Sequence, residues 1–280
     1  MGRRIRETQH QITDQTLQPR EHIMDKLTNI KSYFLKAAIG LAIFTPVFFA
    51  VAAIGTKSGL WGWMFGFVKM TMGYGPKIMM LTFVVSLIAV ILSLIAKPRK
   101  DWMVALLCLA VPVIGMGFGK SVKAKAGKLP PIHDITTDTQ NPPTFTQAIV
   151  DSRAKCSNSL DYIGTTYGKD KTLVSAAQVK AYPDIRTLVF TDNTATMYKR
   201  ALATVDAMGW KLASRSEDMG TIEASYSSFW FGFTDDIAIR IRPSEGGGSL
   251  LDIRSVSCVG RSDLGKNAAR IRKFRDALGG

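Results

Sequence analysis

The sequence predicts a membrane-anchored α+β protein: three transmembrane helices followed by an antiparallel sheet covered by helices. Three observations predict it. Nearly all the long apolar runs fall in the first ~120 residues. The remainder alternates apolar and polar residues with a period of two, between segments of helical spacing. The 36 lysines and arginines outnumber the 22 acidic residues, and many flank the apolar runs, where they would meet anionic headgroups.

The apolar runs come first. Ala37–Gly55, Ile78–Ala96 and Trp102–Gly119 carry no charge, and each approaches the ~20 residues that cross a hydrocarbon core. A buried helix of a soluble protein would keep a polar stripe, and these do not. Pro46 and Pro112 lie inside the first and third runs, which neighbouring helices tolerate by satisfying the freed carbonyls. About thirty polar residues precede the first run, among them Arg3, Arg4, Arg6, Arg20, Lys26 and Lys31, so the N-terminus does not read as a signal peptide. The chain divides into a basic cytoplasmic tail and juxtamembrane helix (1–36), three transmembrane helices (37–119), a linker (120–131) and a soluble α+β domain (132–280).

Orientation follows from the basic loops. Lys97-Pro98-Arg99-Lys100 belongs in the cytoplasm with the N-terminal tail, which places the C-terminal domain in the periplasm of a bacterial inner membrane. Lys120, Lys123, Lys125 and Lys128 argue for the opposite sidedness. Trp61, Trp63, Phe65, Phe67 and Tyr74, with Lys69 and Lys77, read as an interfacial segment or as a loop touching lipid. A nucleic-acid partner is excluded, because no basic run in the soluble half is interleaved with stacking aromatics.

In the soluble half, Pro130-Pro131 closes the linker, and the Asp/Thr-rich stretch Ile132–Thr139 reads as an irregular, ordered strap. Leu188–Phe190 should be extended. Thr191, Asp192 or Asn193 then caps a helix to about Met208, with Tyr198, Leu202 and Val205 on one face and Gly209 as the stop. Strands follow at Ile222–Tyr226, Ile237–Ile241 and Leu251–Ile253, the last two joined through glycine-rich Ser244–Ser249. A final helix runs from about Asp263 to Leu278, with Ser262 as N-cap.

These segments carry a family pattern. Ile132–Thr139 with Pro142-Pro143, Tyr182-Pro183-Asp184-Ile185, Phe233–Arg240, Asp252–Ser257 and Gly260–Ile271 together resemble the domain-of-unknown-function family 1499. The resemblance covers nearly the whole chain after Pro130. It implies a domain of bacteria and plastids, often placed behind an N-terminal membrane segment or signal, and it implies no reaction. At Cys258 the chain departs from the pattern, since the family usually has arginine there.

The chemistry-bearing residues form three sets. A simple hairpin register puts Asp236, Arg240, Arg242, Asp252 and Arg254 on one sheet face, where cross-strand pairs give about 0.2–1 kcal/mol each. Asp235 and Asp236 point to opposite faces, and an inward carboxylate would take Arg254 or Arg270 as partner. The turn Gly260–Asn267, with Arg261, Ser262, Asn267 and Arg270, offers an anion the N-terminus of the last helix, unless Asp263 fills that place itself.

His133, Asp134 and Asp138 are the one candidate metal set, and a single histidine with two acids is a weak one. No cofactor motif is present, and Ser255 and Ser262 lack a base and a GxSxG elbow. Cys108 suits helix packing; Cys156 and Cys258 are either a periplasmic disulfide or buried thiols.

The expected role is a non-enzymatic binding or assembly module for a protein partner or anionic lipid. The alternatives are an envelope hydrolase or metal-dependent enzyme using His133, or an accessory subunit of a membrane transport complex.

Overall fold

Each apolar run folds as a helix, because uncharged side chains on all faces leave the backbone to satisfy its own hydrogen bonds. A computed structural model describes residues 2–279, with side chains from His22 onward; Arg3, Arg4, Arg6, Arg20 and His10 lie outside the described side chains. Helix α1 spans Gly2–Lys57, a π-helical segment spans Met64–Tyr74, and α2 (Gly75–Ile95) follows it directly. A short turn at Arg99–Asp101 leads into α3 (Trp102–Ala126). The stretches His22–Lys57, Met64–Ile95 and Arg99–Ala126 are long and apolar enough to cross a membrane. The chain divides into two compact units, Met1–Ser121 and Val122–Gly280.

Small side chains hold the helical unit together. Gly75, Thr82, Ser86, Ala89 and Ser93 form the buried stripe of α2. Ala38, Ala89, Ala105 and Cys108 cluster in the interior. Such small residues let helix backbones approach closely. The hydroxyls of Thr45 and Thr82 meet at 2.8 Å between α1 and α2.

Two local expectations change. The aromatic stretch after α1 is a short turn through Trp61 followed by a π-helix that runs directly into α2. Just before the π-helix, the Trp61 indole donates to the carbonyl of Ala52 on α1. A Cβ on Gly55 would stand 2.1 Å from the Trp61 ring, so the close approach requires glycine there. The linker is also shorter than expected, because α3 continues to Ala126. Lys123 and Lys125 ride on its last turn, where the helix dipole favours cations.

The second unit is built on a six-stranded antiparallel sheet. Its strands are β1 (Asp134–Thr136), β4 (Leu188–Phe190), β5 (Lys211–Ser216), β6 (Thr221–Ser227), β7 (Thr234–Pro243) and β8 (Ser249–Ser257). The order is β1-β8-β7-β6-β5, and β4 pairs with the other half of the β8 edge. A separate two-stranded ribbon joins β2 (Thr166–Tyr167) to β3 (Thr172–Leu173).

One face of the large sheet is apolar. Ile222, Ala224, Ile237, Ile239, Ile241, Leu251 and Ile253 pack there against α6 (Thr194–Ala207) and α7 (Lys266–Ala277). Met197, Ala201 and Val205 come from α6, and Ile271 and Phe274 from α7, with Trp210 stacked on Phe274. Asn193 caps α6 by accepting from the Thr196 amide, and Gly209 takes the positive φ that ends it.

The opposite face is not left to solvent. The segment between β1 and β2, including α4 (Gln147–Ser152), is tied to it by polar side chains. Alternation along β6 predicts Glu223 exposed, yet it is buried and accepts from the Thr146 amide, the Thr146 hydroxyl and the Ser214 hydroxyl. The stretch expected as an irregular strap is half strand. Asp134–Thr136 pairs with β8 because the Asp134 carboxylate turns to Arg254 instead of to its own backbone. Asp138 keeps the turn chemistry, accepting from the amides of Gln140 and Asn141. Gln178 on α5 (Val174–Ala181) caps the outer edge of β1: its amide donates to the Thr136 carbonyl and accepts from the Thr136 N–H.

Candidate functional site

Two clusters of polar side chains lie on the sheet, one on each face. On the strap face, β7 and β8 pair with Arg240 opposite Asp252 and Ala238 opposite Arg254. This register puts Asp236, Arg240, Arg242, Asp252 and Arg254 on one side.

Arg254 is buried there with Asp134, Nε to Oδ1 at 3.0 Å and Nη2 to Oδ2 at 2.7 Å. Its guanidinium also donates to the carbonyls of Pro143 and Leu160, and lies over the rings of Phe145 and Tyr162. Asp236 takes neither Arg254 nor Arg270. Its partner is Arg153 at the end of α4, which also donates to the Asn158 carbonyl. Arg153 lies outside every motif of the sequence, and nothing local to Asp236 points to it.

Asp252 is the centre of the strap face. It is fully buried and accepts from Thr137, Thr187, Arg240 and Arg242. Burial pushes its carboxyl up, but the bonds from Thr187, Arg240 and Arg242 outweigh that and hold it below the ordinary carboxylate value. The small energies of exposed cross-strand pairs do not apply to a carboxylate with no exposure.

On the helix-covered face, Asp235 pairs with Arg270 at 2.5 Å, and Arg270 lies over the Tyr226 ring. Asn267 is fully buried. Its carbonyl oxygen accepts from Ser255 and Arg270, and its amide donates to the His133 carbonyl and the Ser257 hydroxyl. Sequence reasoning brought Asp235, Asn267 and Arg270 forward, and the structure places all three in one network.

The turn before α7 is rearranged. Ser262 is not the N-cap: its hydroxyl accepts from the Leu264 amide, and Leu264 and Gly265 adopt positive φ before the helix starts at Lys266. The Asp263 carboxylate accepts from the amides of Gly265 and Asn267 at 2.8 and 2.7 Å. An internal carboxylate thus sits where an external anion would bind. Burial raises its pKa, against those two backbone bonds. Arg261 remains exposed beside it.

His133, Asp134 and Asp138 are not brought together. Asp134 is bound to Arg254, and Asp138 turns to its own backbone and Arg240. Burial lowers the His133 pKa, partly offset by the charge of Asp134. Among the described residues, no group of three His, Cys, Asp or Glu side chains is placed to hold a metal ion. Cys156 and Cys258 form a disulfide, and Cys108 is a buried free thiol in α3.

The family model described as "Protein of unknown function (DUF1499)" matches residues 134–278, just over half of the chain. The chain belongs to this family. The DUF1499 match begins at the first strand of the sheet and ends one residue beyond α7. Both polar clusters therefore fall within the DUF1499 domain. No curated protein matches the chain.

Proposed function

We propose that the chain is an envelope protein of a bacterial inner membrane, with its DUF1499 domain on the periplasmic side. There the domain serves as a non-enzymatic binding or assembly module for a protein partner or an anionic lipid. The observation that carries this reading is the mutual commitment of the motif side chains. Asp134 holds Arg254, Asp235 holds Arg270, Asp236 holds Arg153, Asp252 holds Arg240 and Arg242, and Asp263 holds the first amides of α7. Groups spent in this way build a rigid plate. They do not form an acid–base pair with a proton to move at a substrate.

Location draws support from two sources. A disulfide across the domain suits an oxidising compartment. Lys97, Arg99 and Lys100 in the turn between α2 and α3 suit the cytoplasm.

The test has two parts. Protease added to intact spheroplasts should remove the domain while sparing the α2–α3 turn, and thiol labelling without reductant should modify Cys108 alone. A protected domain with three free thiols would overturn the periplasmic location. For the binding role, mass spectrometry of the full-length protein in native nanodiscs should find a stoichiometric protein or a selectively enriched anionic lipid. Arg261→Ala should reduce that association with folding intact; retention of bulk lipid alone, with no partner, would count against a binding module.

A further inference from the structure

The loop between β6 and β7 reads Ser228-Phe229-Trp230-Phe231-Gly232-Phe233, and it presents its aromatic tip to solvent. Phe229 is 73 % exposed and Trp230 is 58 % exposed, with the two rings edge to face at 5.3 Å. The loop is well built. The Ser228 amide donates to the Phe233 carbonyl, the Gly232 amide to the Ser228 carbonyl, and the Phe233 amide to the Ser228 hydroxyl. Phe231 stacks on Phe233 at its base. Phe229 and Trp230 lie outside the buried core of the domain.

Its position in the fold names an occupant. The tip projects from the sheet end where β6 finishes and β7 begins. The β8 strand ends there too, since the Cys258 amide donates to the Thr234 carbonyl. The chain arriving from α3 enters the domain at this same end: the Ser257 amide donates to the His133 carbonyl, and the Asp263 amide to the Ile132 carbonyl. Residues 127–131 alone separate that entry from the end of α3. Exposed Lys155 and Arg261 lie at this end, beside the Cys156–Cys258 disulfide. Phenylalanine and tryptophan with a basic rim is the composition that settles at the headgroup level of a bilayer.

We propose that the 228–233 loop is a lipid-docking element, with Phe229 and Trp230 inserted at the membrane interface and Lys155 and Arg261 facing anionic headgroups. The inference rests on the membrane anchoring in the proposed function, and not on which side of the membrane carries the domain. A short tether makes docking effectively intramolecular, so a modest aromatic contact suffices.

The test uses the full chain in nanodiscs containing phosphatidylglycerol and lipids with a nitroxide high on the acyl chain. The fluorescence lost to the nitroxide is compared between the protein and its Trp230→Phe variant, which keeps the loop aromatic. Trp230, obtained by difference, should be quenched roughly twofold by the lipid nitroxide and shielded from aqueous iodide. Replacing phosphatidylglycerol with a neutral lipid, or making Lys155→Ala with Arg261→Ala, should weaken the nitroxide effect. A Trp230 open to iodide and untouched by lipid nitroxide overturns the docking while leaving the anchoring intact. Shielding from both quenchers that appears only with two chains per disc overturns it in favour of a second copy. Failure of the chain to enter nanodiscs at all overturns the anchoring and the docking together.

Discussion

Arg254 and Asp134 form a bidentate pair with almost no exposure, and the pair fastens β1 to β8 beneath the strap. Losing Arg254 would strand the Asp134 carboxylate away from water. Breaking one partner of such a pair costs about 3–5 kcal/mol. Arg254→Ala should therefore lower the unfolding midpoint of the domain steeply, followed by hydrogen exchange of β7 and β8 in the full chain. Arg254→Lys should not rescue it, because an ammonium cannot hold both carboxylate oxygens, the Pro143 and Leu160 carbonyls, and two ring faces together. A lysine variant as stable as the parent would show that charge alone is what the site needs.

Asp252 makes the stability of the domain depend on acid. Its carboxyl is held below the ordinary value of 3.8 by Thr187, Arg240 and Arg242, against burial. The folded state therefore binds fewer protons than the unfolded chain around that pH. The contribution is complete above about 4 and drains away as pH falls through the folded value. Asp263 works in the opposite sense. Burial raises its pKa above 3.8, so its charging opposes folding as pH rises through the folded value. Asp252→Asn should flatten the acid limb of a stability–pH curve, and Asp263→Asn should steepen it. Parallel limbs for both variants and the parent would contradict these assignments.

Particular residues show how much of this was legible in the sequence. Period two in Ile237, Ile239 and Ile241, and in Leu251 and Ile253, located the apolar face, because a half-buried strand cannot hide its alternation. The run Thr191, Asp192 and Asn193, of which Asn193 is the cap, and Gly209 announced α6 through local chemistry. The second covered face was not legible. Glu223 alternates as an exposed residue would, and its partners Thr146 and Ser214 lie far along the chain or on a strand with little apolar signal. Arg153 and Asp236 are likewise 83 residues apart, and nothing local to either names the other. For the turn before α7, Ser262 looked like a cap, but positive φ at Leu264 and Gly265 moved the helix start past it and gave the amides to Asp263.

The disulfide closes a loop of 102 residues, which carries strands β2 to β8 with α5 and α6. In the chain-entropy model a loop near that length contributes about 4–5 kcal/mol, and removal of native bridges commonly costs about 2–5 kcal/mol. Cys156→Ser with Cys258→Ser should lower the midpoint by that order. Reductant should reproduce the loss in the parent and leave the double variant unmoved. A parent insensitive to reductant would show that the bridge contributes nothing to the fold.

Lys31 supplies the last prediction, within the helical unit. It is 3 % exposed on α1, and its ammonium donates to the Asp101 carboxylate at 2.9 Å and the Pro98 carbonyl at 2.8 Å. The middle of α1 is thereby tied to the turn between α2 and α3. Asp101→Ala leaves that ammonium with one carbonyl and should cost about 3 kcal/mol, read as a lower thermal midpoint in detergent. Lys31→Met removes charge and its desolvation together while keeping the volume, and should cost less than Asp101→Ala. The ordering decides the matter, because it holds only if the ammonium stays buried when its carboxylate is gone. Equal losses for the two variants would mean that Lys31 swings to solvent and that the pair is a surface contact.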